Sequence, residues 1–299
     1  MQHFILTRFN LLLWQKDKGG SKVRTVAWLE HRFNLFEQYC LPSIINQTCH
    51  EFGWIVLFDN TTPEPFKKKV EEYQIECPQM IPVYVEPQNG RYFAEIFRQE
   101  VVSRLRSQEH ENERISLTNT NDTNHTDKCF KRVLTTYLDN DDALNVRFVE
   151  DIQRRVSELP NGTFISYTDG YQYYTDYKYV MQIHYPRNHF MSVVEEGNPA
   201  MIKTIYGYGS HYYIEKIPGV KIEKVKNLPM WCEVIHEKNM GNDAYFLDAK
   251  MVKEAKGFGF MFQDSSFNYS FGVYLFRYLP RYTKTFVRRI GYRLFGRHW

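Results

Sequence analysis

No Cys-x-x-Cys pair occurs in this sequence, and its five cysteines (Cys40, Cys49, Cys77, Cys129 and Cys232) are odd in number and widely spaced. That pattern argues against a disulfide framework and against a zinc cluster, and for a reducing compartment. Nowhere is there an apolar run long enough to cross a bilayer. Arg8 interrupts the only early apolar stretch and no basic segment precedes it, so a secretory signal is not expected. A Gly-rich phosphate loop of the Walker type is also missing, which disfavours nucleotide chemistry of the P-loop kind. The expectation is a cytoplasmic, non-integral protein. Carboxylates are absent after Asp264, where seven of the 38 basic residues and none of the 35 acidic ones fall. The positive net charge therefore belongs to the tail, and the body before it is acidic.

What is present fits a large core. The 299 residues are 43% hydrophobic and 24% charged, ordinary values for a globular α/β chain. Aromatics are plentiful, with 22 Tyr and 22 Phe; their faces suit sugar stacking, but most are expected in the core. Residues 2–9, 53–58, 81–85 and 133–138 read as strands. Between and after them, Leu29, Phe33, Phe36, Cys40 and Ile44, then Phe66, Val70 and Tyr73, then Phe93, Ile96, Phe97, Val101 and Leu105, then Val149, Ile152, Val156 and Leu159 fall at helical spacings. Pro42 is expected to break the first helix and restart a short one. Residues 107–128 turn polar and read as a loop or disordered insertion. This alternation predicts a mainly parallel sheet with helices on both faces and ligands bound outside the carboxyl ends of its strands. Beyond Leu159 the order changes to a tyrosine-rich meander over 163–184, loops near Gly197 and Tyr206, and a strand over 231–236. Residues 1–264 are expected to form one domain, and 265–299 a separate basic, aromatic tail.

The chain is organised around Val133 to Leu138 followed by Asp139-Asn140-Asp141-Asp142. Residues two apart share a face of an extended chain, so Asp139 and Asp141 are expected to point the same way. Crowded carboxylates repel unless a cation compensates them, and hard oxygen ligands suit Mg²⁺ or Mn²⁺, which in turn hold a diphosphate. The competing reading is a solvated turn capping the next helix. Thr7, Arg8, Asn10, Asp59, Asp139 and Asp141 all fall at strand ends of the expected sheet, so one crevice is positioned to collect them.

Phe36-x-x-x-Cys40-Leu-Pro-Ser43-Ile44 with Gln47-Thr48, followed by a strand closing in Asp59, resembles the opening of the family 2 glycosyltransferases. With Leu6 to Asn10, Leu138 to Leu144, and Trp231-x-x-Val-Ile-His236-x-x-Asn239, the chain more specifically resembles a bacterial rhamnosyltransferase family, over about residues 3 to 243. The resemblance implies a GT-A fold, a nucleotide-sugar donor and a divalent metal, Mn²⁺ or Mg²⁺. It implies that Asp59 faces the base or ribose, that Thr7, Arg8 and Asn10 lie beside the nucleotide, and that Asp139 and Asp141 hold ribose and metal-diphosphate. His236 would be a late metal or diphosphate ligand. The chain departs from family 2 at Asn60, where a second aspartate is usual. The polar insertion and the basic tail are unmatched.

An inverting transfer of a sugar, possibly rhamnose, to a saccharide or lipid-linked acceptor also needs a base. Glu233, Glu195 and Asp169 are alternatives; strand alternation would set Glu233 on the face opposite His236. Each candidate has a plainer reading: His236 as a structural histidine, Arg8 as the partner of a carboxylate, Trp231 as core rather than an acceptor platform. The tail from Tyr274 to Trp299 is expected to lie on an anionic membrane or to pack on the body, and nucleic-acid binding is not expected. Other functions considered are a metal-dependent nucleotidyltransferase or phosphohydrolase, and a non-catalytic carbohydrate-binding relative.

Overall fold

The computed structural model describes residues 1–16, 20, 22–119, 132–175, 178–226, 228–236, 250–252 and 255–262, with positions 283, 287 and 290. The first strands and helices alternate: β1 (Gln2–Arg8), α1 (Val26–Leu35), α2 (Leu41–Ile45), β2 (Gly53–Asp59), α3 (Glu64–Glu76), β3 (Met80–Val85), α4 (Phe93–Asn119), β4 (Val133–Tyr137), β5 (Ala143–Leu144) and α5 (Phe148–Val156). There follow β6 (Thr163–Tyr167), β7 (Asp169–Tyr174), β8 (Tyr179–His184), β9 (Met191–Glu195), α6 (Thr204–Gly207), α7 (His211–Ile214), β10 (Lys221–Val225), β11 (Trp231–Ile235) and β12 (Lys250–Val252).

Seven strands form the main sheet in the order β10-β6-β9-β4-β1-β2-β3. β3, β2, β1 and β4 run parallel, and β9 is antiparallel to both β4 and β6. Alternation along β1 explains the layering. Ile5 packs with Phe33, Phe36 and Val70 of the helices on one face, while Phe4 and Leu6 pack with Phe97 and Val101 of α4 on the other. A second sheet, β12-β8-β7-β11-β5, carries its own apolar cluster of Tyr171, Tyr173, Val234 and Phe258. The mixed α/β layout with a mainly parallel sheet is the one expected. Among the described residues no helix is long and apolar enough to cross a membrane.

Several expectations are corrected. Pro42 does not break the first helix. Phe36–Cys40 form a π-helical turn in which the Leu41 N–H reaches the Phe36 carbonyl, so the ladder is re-registered ahead of the proline, which takes the first turn of α2. The segment 107–119 is not a loop but the continuation of α4, because Glu, Gln, Arg and Leu are strong helix formers; the rest of the polar run to 128 lies outside the described residues. The meander is divided: β6 joins the main sheet and β7-β8 the second, the chain changing sheets at Thr168, whose N–H bonds the Val225 carbonyl at 2.9 Å. Asn239 and the tail from Tyr274 to Trp299, apart from the three isolated positions, lie outside the described residues.

The α1–α2 segment also fixes the turn after β4. Gln47 donates to the Ser43 and Asn145 carbonyls at 2.7 and 2.8 Å and accepts from the Val149 N–H at 3.0 Å. Ser43 Oγ accepts from the Leu144 N–H at 3.3 Å. The polar residues of that helix thereby tie down the chain on the far side of the acidic turn.

Candidate active site

β4 ends where its β-branched run gives way to Asp139, and the turn through Asn140 and Asp141 ends the extended backbone there. The alternation that would have set Asp139 and Asp141 on one face therefore stops before it reaches them. Asp139 accepts from Tyr137 Oη at 2.9 and 3.0 Å and from Arg8 Nη2 at 3.3 Å. Asp141 turns the other way: its Oδ2 lies 2.9 Å from Arg32 Nη1 and 3.0 Å from His236 Nε2. Arg32 also donates to Asn140 Oδ1, and Asn140 Nδ2 donates to the Phe9 carbonyl at 3.0 Å. Asp142 is fully buried; its Oδ1 accepts from the Val234 N–H at 2.8 Å and its Oδ2 lies 2.8 Å from His189 Nε2.

Four residues in a row thus divide into two pairs. Asn140 and Asp141 are braced by Arg32. Asp139 and Asp142 converge with His189, and one ligand atom from each of these three lies within 4.8 Å of the others. Two carboxylate oxygens and an imidazole nitrogen make a donor set that suits Mn²⁺ better than Mg²⁺, which prefers oxygen alone. The structure does join Asp141 to His236, as the family resemblance implied, but around an arginine, and Asp139 belongs to the other group. The expected ligand set of Asp139, Asp141 and His236 is corrected on that point.

The electrostatics follow the same division. Burial opposes the charge on Asp141, but the Arg32 guanidinium and the His236 bond outweigh it and hold its carboxyl below the usual carboxylate range. Burial and the neighbouring Asp141 charge oppose the charge on Asp142, and His189 is the partner that favours it. Burial would neutralise His189, yet the bond and charge of Asp142 raise it to about 9. The compensating positive charge around this acidic turn is therefore largely the protein's own.

The candidate bases separate by position. Glu233, on β11, is buried; Gln172 of β7 donates to its Oε2, and it interacts electrostatically with His189, Asp141 and Asp139. β11 ends at Ile235, so strand alternation does not reach His236, and both side chains interact with the acidic turn. Glu195 is corrected as a site residue. β9 runs antiparallel to β4 and places Glu195 beside Val133, at the amino end of β4 and away from the acidic turn. There it accepts from the Lys203 and Thr204 N–H groups at 2.9 Å and from Tyr208 Oη at 3.0 Å. Asp169 accepts from Thr168 Oγ1 at 2.7 Å and lies 3.2 Å from His184 Nδ1, partners that stand apart from the acidic turn.

On the β1–β2 side most candidates are sealed into the fold. Thr7 is fully buried and accepts the Trp54 indole N–H at 2.9 Å. Asn10 is a staple, donating to Thr62 Oγ1 and accepting from the Asp59 N–H, both at 2.9 Å. Asp59, also fully buried, accepts from the Thr61 N–H at 2.9 Å and pairs with Arg24 at 2.6 Å. Arg8 alone keeps part of its side chain exposed, its guanidinium lying over the rings of Phe93, Tyr206 and Tyr137 at 4.8, 5.2 and 5.6 Å. Trp231 is corrected from acceptor platform to core. It is fully buried, donates to the Tyr167 carbonyl at 2.7 Å and stacks on Phe190. A Cβ on Gly170 would come within 2.2 Å of its ring, so only glycine lets β7 pass there.

Sequence reasoning missed His189 and Arg32 as members of the site. His189 stands in a loop with no motif around it, and Arg32 looks like one more cation on a helix whose apolar stripe draws attention elsewhere.

The family model described as "Putative rhamnosyl transferase" matches residues 2–112 and 95–246. No curated protein matches. Among solved structures the chain is similar to S. aureus TarS, with 9% identity, a TM-score of 0.36, and coverage of 79% of this chain and 37% of that one. It is also similar to S. aureus TarS 1–349, with 9% identity, a TM-score of 0.39, and coverage of 78% and 60%. For the same fragment in complex with UDP the values are 10%, 0.37, 79% and 61%. The chain thus spans between 37% and 61% of the length of these proteins, a likeness too distant to assign a ligand.

Proposed function

Since the chain belongs to the rhamnosyl transferase family whose model it matches, we propose that it transfers a hexose, rhamnose by the family's description, from a nucleotide-sugar to a saccharide or lipid-linked acceptor. The observation that carries this reading is the convergence of Asp139, Asp142 and His189 at the carboxyl end of β4. A divalent ion held by these three, displacing the proton of His189, would supply positive charge for a departing diphosphate.

The chain's own residues account for the rest. Arg8, beside Asp139 and partly exposed, is placed to neutralise a phosphate. Glu233 is the base: burial raises its affinity for a proton, and Gln172 orients it. The acceptor oxygen forms its bond to the anomeric carbon as Glu233 takes the hydroxyl proton. The bond from that carbon to the diphosphate oxygen breaks, and its electron pair leaves with the diphosphate. Attack opposite the leaving group inverts the anomeric centre. Asp141 and Arg32 hold the turn in place and touch no substrate.

The test is turnover of a panel of nucleotide-sugars with and without Mn²⁺ and a saccharide acceptor. Mn²⁺-dependent release of nucleoside diphosphate that rises with acceptor is the expected result. Release of nucleoside monophosphate or inorganic phosphate instead would point to phosphohydrolase chemistry and defeat the proposal.

A further inference from the structure

Two arginines meet the acidic turn, and they meet it in different ways. Arg32 closes on Asp141 at 2.9 Å with only 13% and 8% of the two side chains exposed, so these charges are spent on each other and brace the turn. Arg8 and Asp139 are more open, at 24% and 28%, yet stand 3.3 Å apart. That is about 0.5 Å longer than an ordinary bond between a guanidinium and a carboxylate. The Tyr137 hydroxyl accounts for the gap. Arg8 Nη2 donates to Tyr137 Oη at 2.6 Å, and Tyr137 Oη donates to Asp139, whose two oxygens lie 2.9 and 3.0 Å away. A phenol has one proton to give and lone pairs to accept with, so one neutral group serves both charges at once. Its ring is fixed from two sides, 4.7 Å from the ring of Tyr206 and edge-on to that of His189 at 5.5 Å. Of the three donors to the candidate cation, Asp142 and His189 are held by each other and by the Val234 N–H, whereas Asp139 is held by Tyr137 and Arg8.

We propose that Tyr137 is a positioning residue whose hydroxyl keeps Arg8 and Asp139 from closing on each other, so that Asp139 stays open to a divalent cation and Arg8 to a diphosphate. The diphosphate half rests on the glycosyl-transfer reading; the cation half rests on the convergence of Asp139, Asp142 and His189. Without the hydroxyl, a movement of roughly 0.5 Å would bring the guanidinium and the carboxylate into direct contact. The rings of Phe93, Tyr206 and Tyr137 keep the guanidinium beside Asp139, so that contact is the nearest one open to it. The pair would then match Arg32 and Asp141, with its charges compensated from within. A cation would have to break an ion pair to reach Asp139, and a phosphate would have to break the same pair to reach Arg8. The effect of the hydroxyl on either ligand therefore passes through these two side chains.

The experiment uses the full chain as wild type, Tyr137→Phe, Arg8→Met and the double variant, each titrated with Mn²⁺ alone by calorimetry and melted in parallel. Tyr137→Phe is expected to weaken Mn²⁺ binding about tenfold. It should melt near the wild-type temperature, because a direct ion pair replaces the bonds through the hydroxyl. In the Arg8→Met background the same substitution should cost no Mn²⁺ affinity, since no guanidinium is left to close on Asp139. A tyrosine that merely supports the fold would not produce that non-additivity. Undiminished Mn²⁺ binding in Tyr137→Phe would overturn the proposal, as would a wild-type chain that binds no Mn²⁺. An equal loss with and without Arg8 would overturn it too, making the hydroxyl a simple orienting bond to Asp139. So would a large fall in the melting temperature of Tyr137→Phe, which would assign the hydroxyl to the fold. A chain that shows the expected pattern with Mn²⁺ but turns over no nucleotide-sugar would end the transfer reading and leave Tyr137 as the group that holds these charges apart.

Discussion

The two ends of the main sheet hold the same kinds of residue in opposite electrical states. At the amino end His3 is 2% exposed, with its Nε2 2.8 Å from Thr136 Oγ1 and its Nδ1 3.3 Å from Gln153 Nε2. Burial without a charged partner lowers it from 6.5 to about 3. At the carboxyl end His189 is also buried, yet its contact with Asp142 carries it up to about 9. The carboxylates divide in the same way. Glu195, at the amino end, is met by two backbone N–H groups and a hydroxyl, whereas Asp139, Asp141 and Asp142 are met by arginines and histidines. Burial by itself therefore does not make a site. A site needs charges of both signs brought together where the strands open outward, since only there does a charged ligand replace a charged partner at low cost.

The largest effect should come from removing the brace at the carboxyl end. Arg32→Ala leaves the Asp141 carboxylate buried without its principal cation, and unfolding in urea should show a loss of about 3–5 kcal/mol. Arg32→Lys, unable to bridge Asn140 and Asp141 together, should recover only part of it. If Arg32→Ala proves as stable as wild type, the turn is not held as described. Asp142→Asn is next. Amide Oδ1 can still accept the Val234 N–H, and the amide Nδ2 can donate to a neutral His189 Nε2, so the fold should survive. What is lost is a ligand, and transfer should fall about 10²–10³-fold together with Mn²⁺ affinity. Unchanged manganese affinity by calorimetry would exclude the Asp139, Asp142 and His189 set.

The contrast also separates what the sequence discloses from what it hides. The β1, β2, β3 and β4 strands and the helices between them follow from apolar runs and helical spacings, because each buries one continuous stripe. β9 escaped notice because a five-residue strand that reverses direction inside a parallel sheet has no periodicity beyond that of any short apolar run. Its position then decided the fate of Glu195, which no local pattern announces. The acidic turn was recognisable as a turn, and with it the end of the sheet at which to look. Which of its carboxylates would converge was not readable, because the extended geometry ends within the motif and the partners come from Arg32 and His189, more than forty residues away on either side. Thr7 and Asp59 looked like site residues because strand ends and ligand sites coincide, but a strand end can also be closed by its own loop, as Asn10, Thr61 and Arg24 do here.

The remaining tests concern the amino end, where effects should be smaller and confined to stability. His3 has a folded value of about 3 against 6.5 when unfolded. Below pH 6.5 the unfolded chain therefore binds a proton that the folded chain refuses. Its contribution to stability is complete above pH 6.5 and is lost as pH falls toward 3, by up to about 1.4 kcal/mol per unit. Urea unfolding at intervals from pH 7 to 4 should show that slope in wild type and a shallower one in His3→Gln. Equal slopes would mean that His3 is not held neutral.

Glu195→Gln should have the smallest effect. Thr204 sits at φ +63°, a conformation that a β-branched residue adopts only when held there, and the Glu195 carboxylate holds it by accepting both the Lys203 and Thr204 N–H groups. An amide retains one of those acceptors and turns a donor toward the other, so a loss on the order of 1 kcal/mol is expected. Transfer and Mn²⁺ affinity should not change, because Glu195 lies across from Val133 and the acidic turn lies at the other end of β4. If Glu195→Gln abolishes transfer while melting near the wild-type temperature, the base belongs at the amino end and Glu233 does not serve. If it melts lower but transfers at the wild-type rate, the two ends of the sheet are independent, and the chemistry stays with the charges gathered around Asp142.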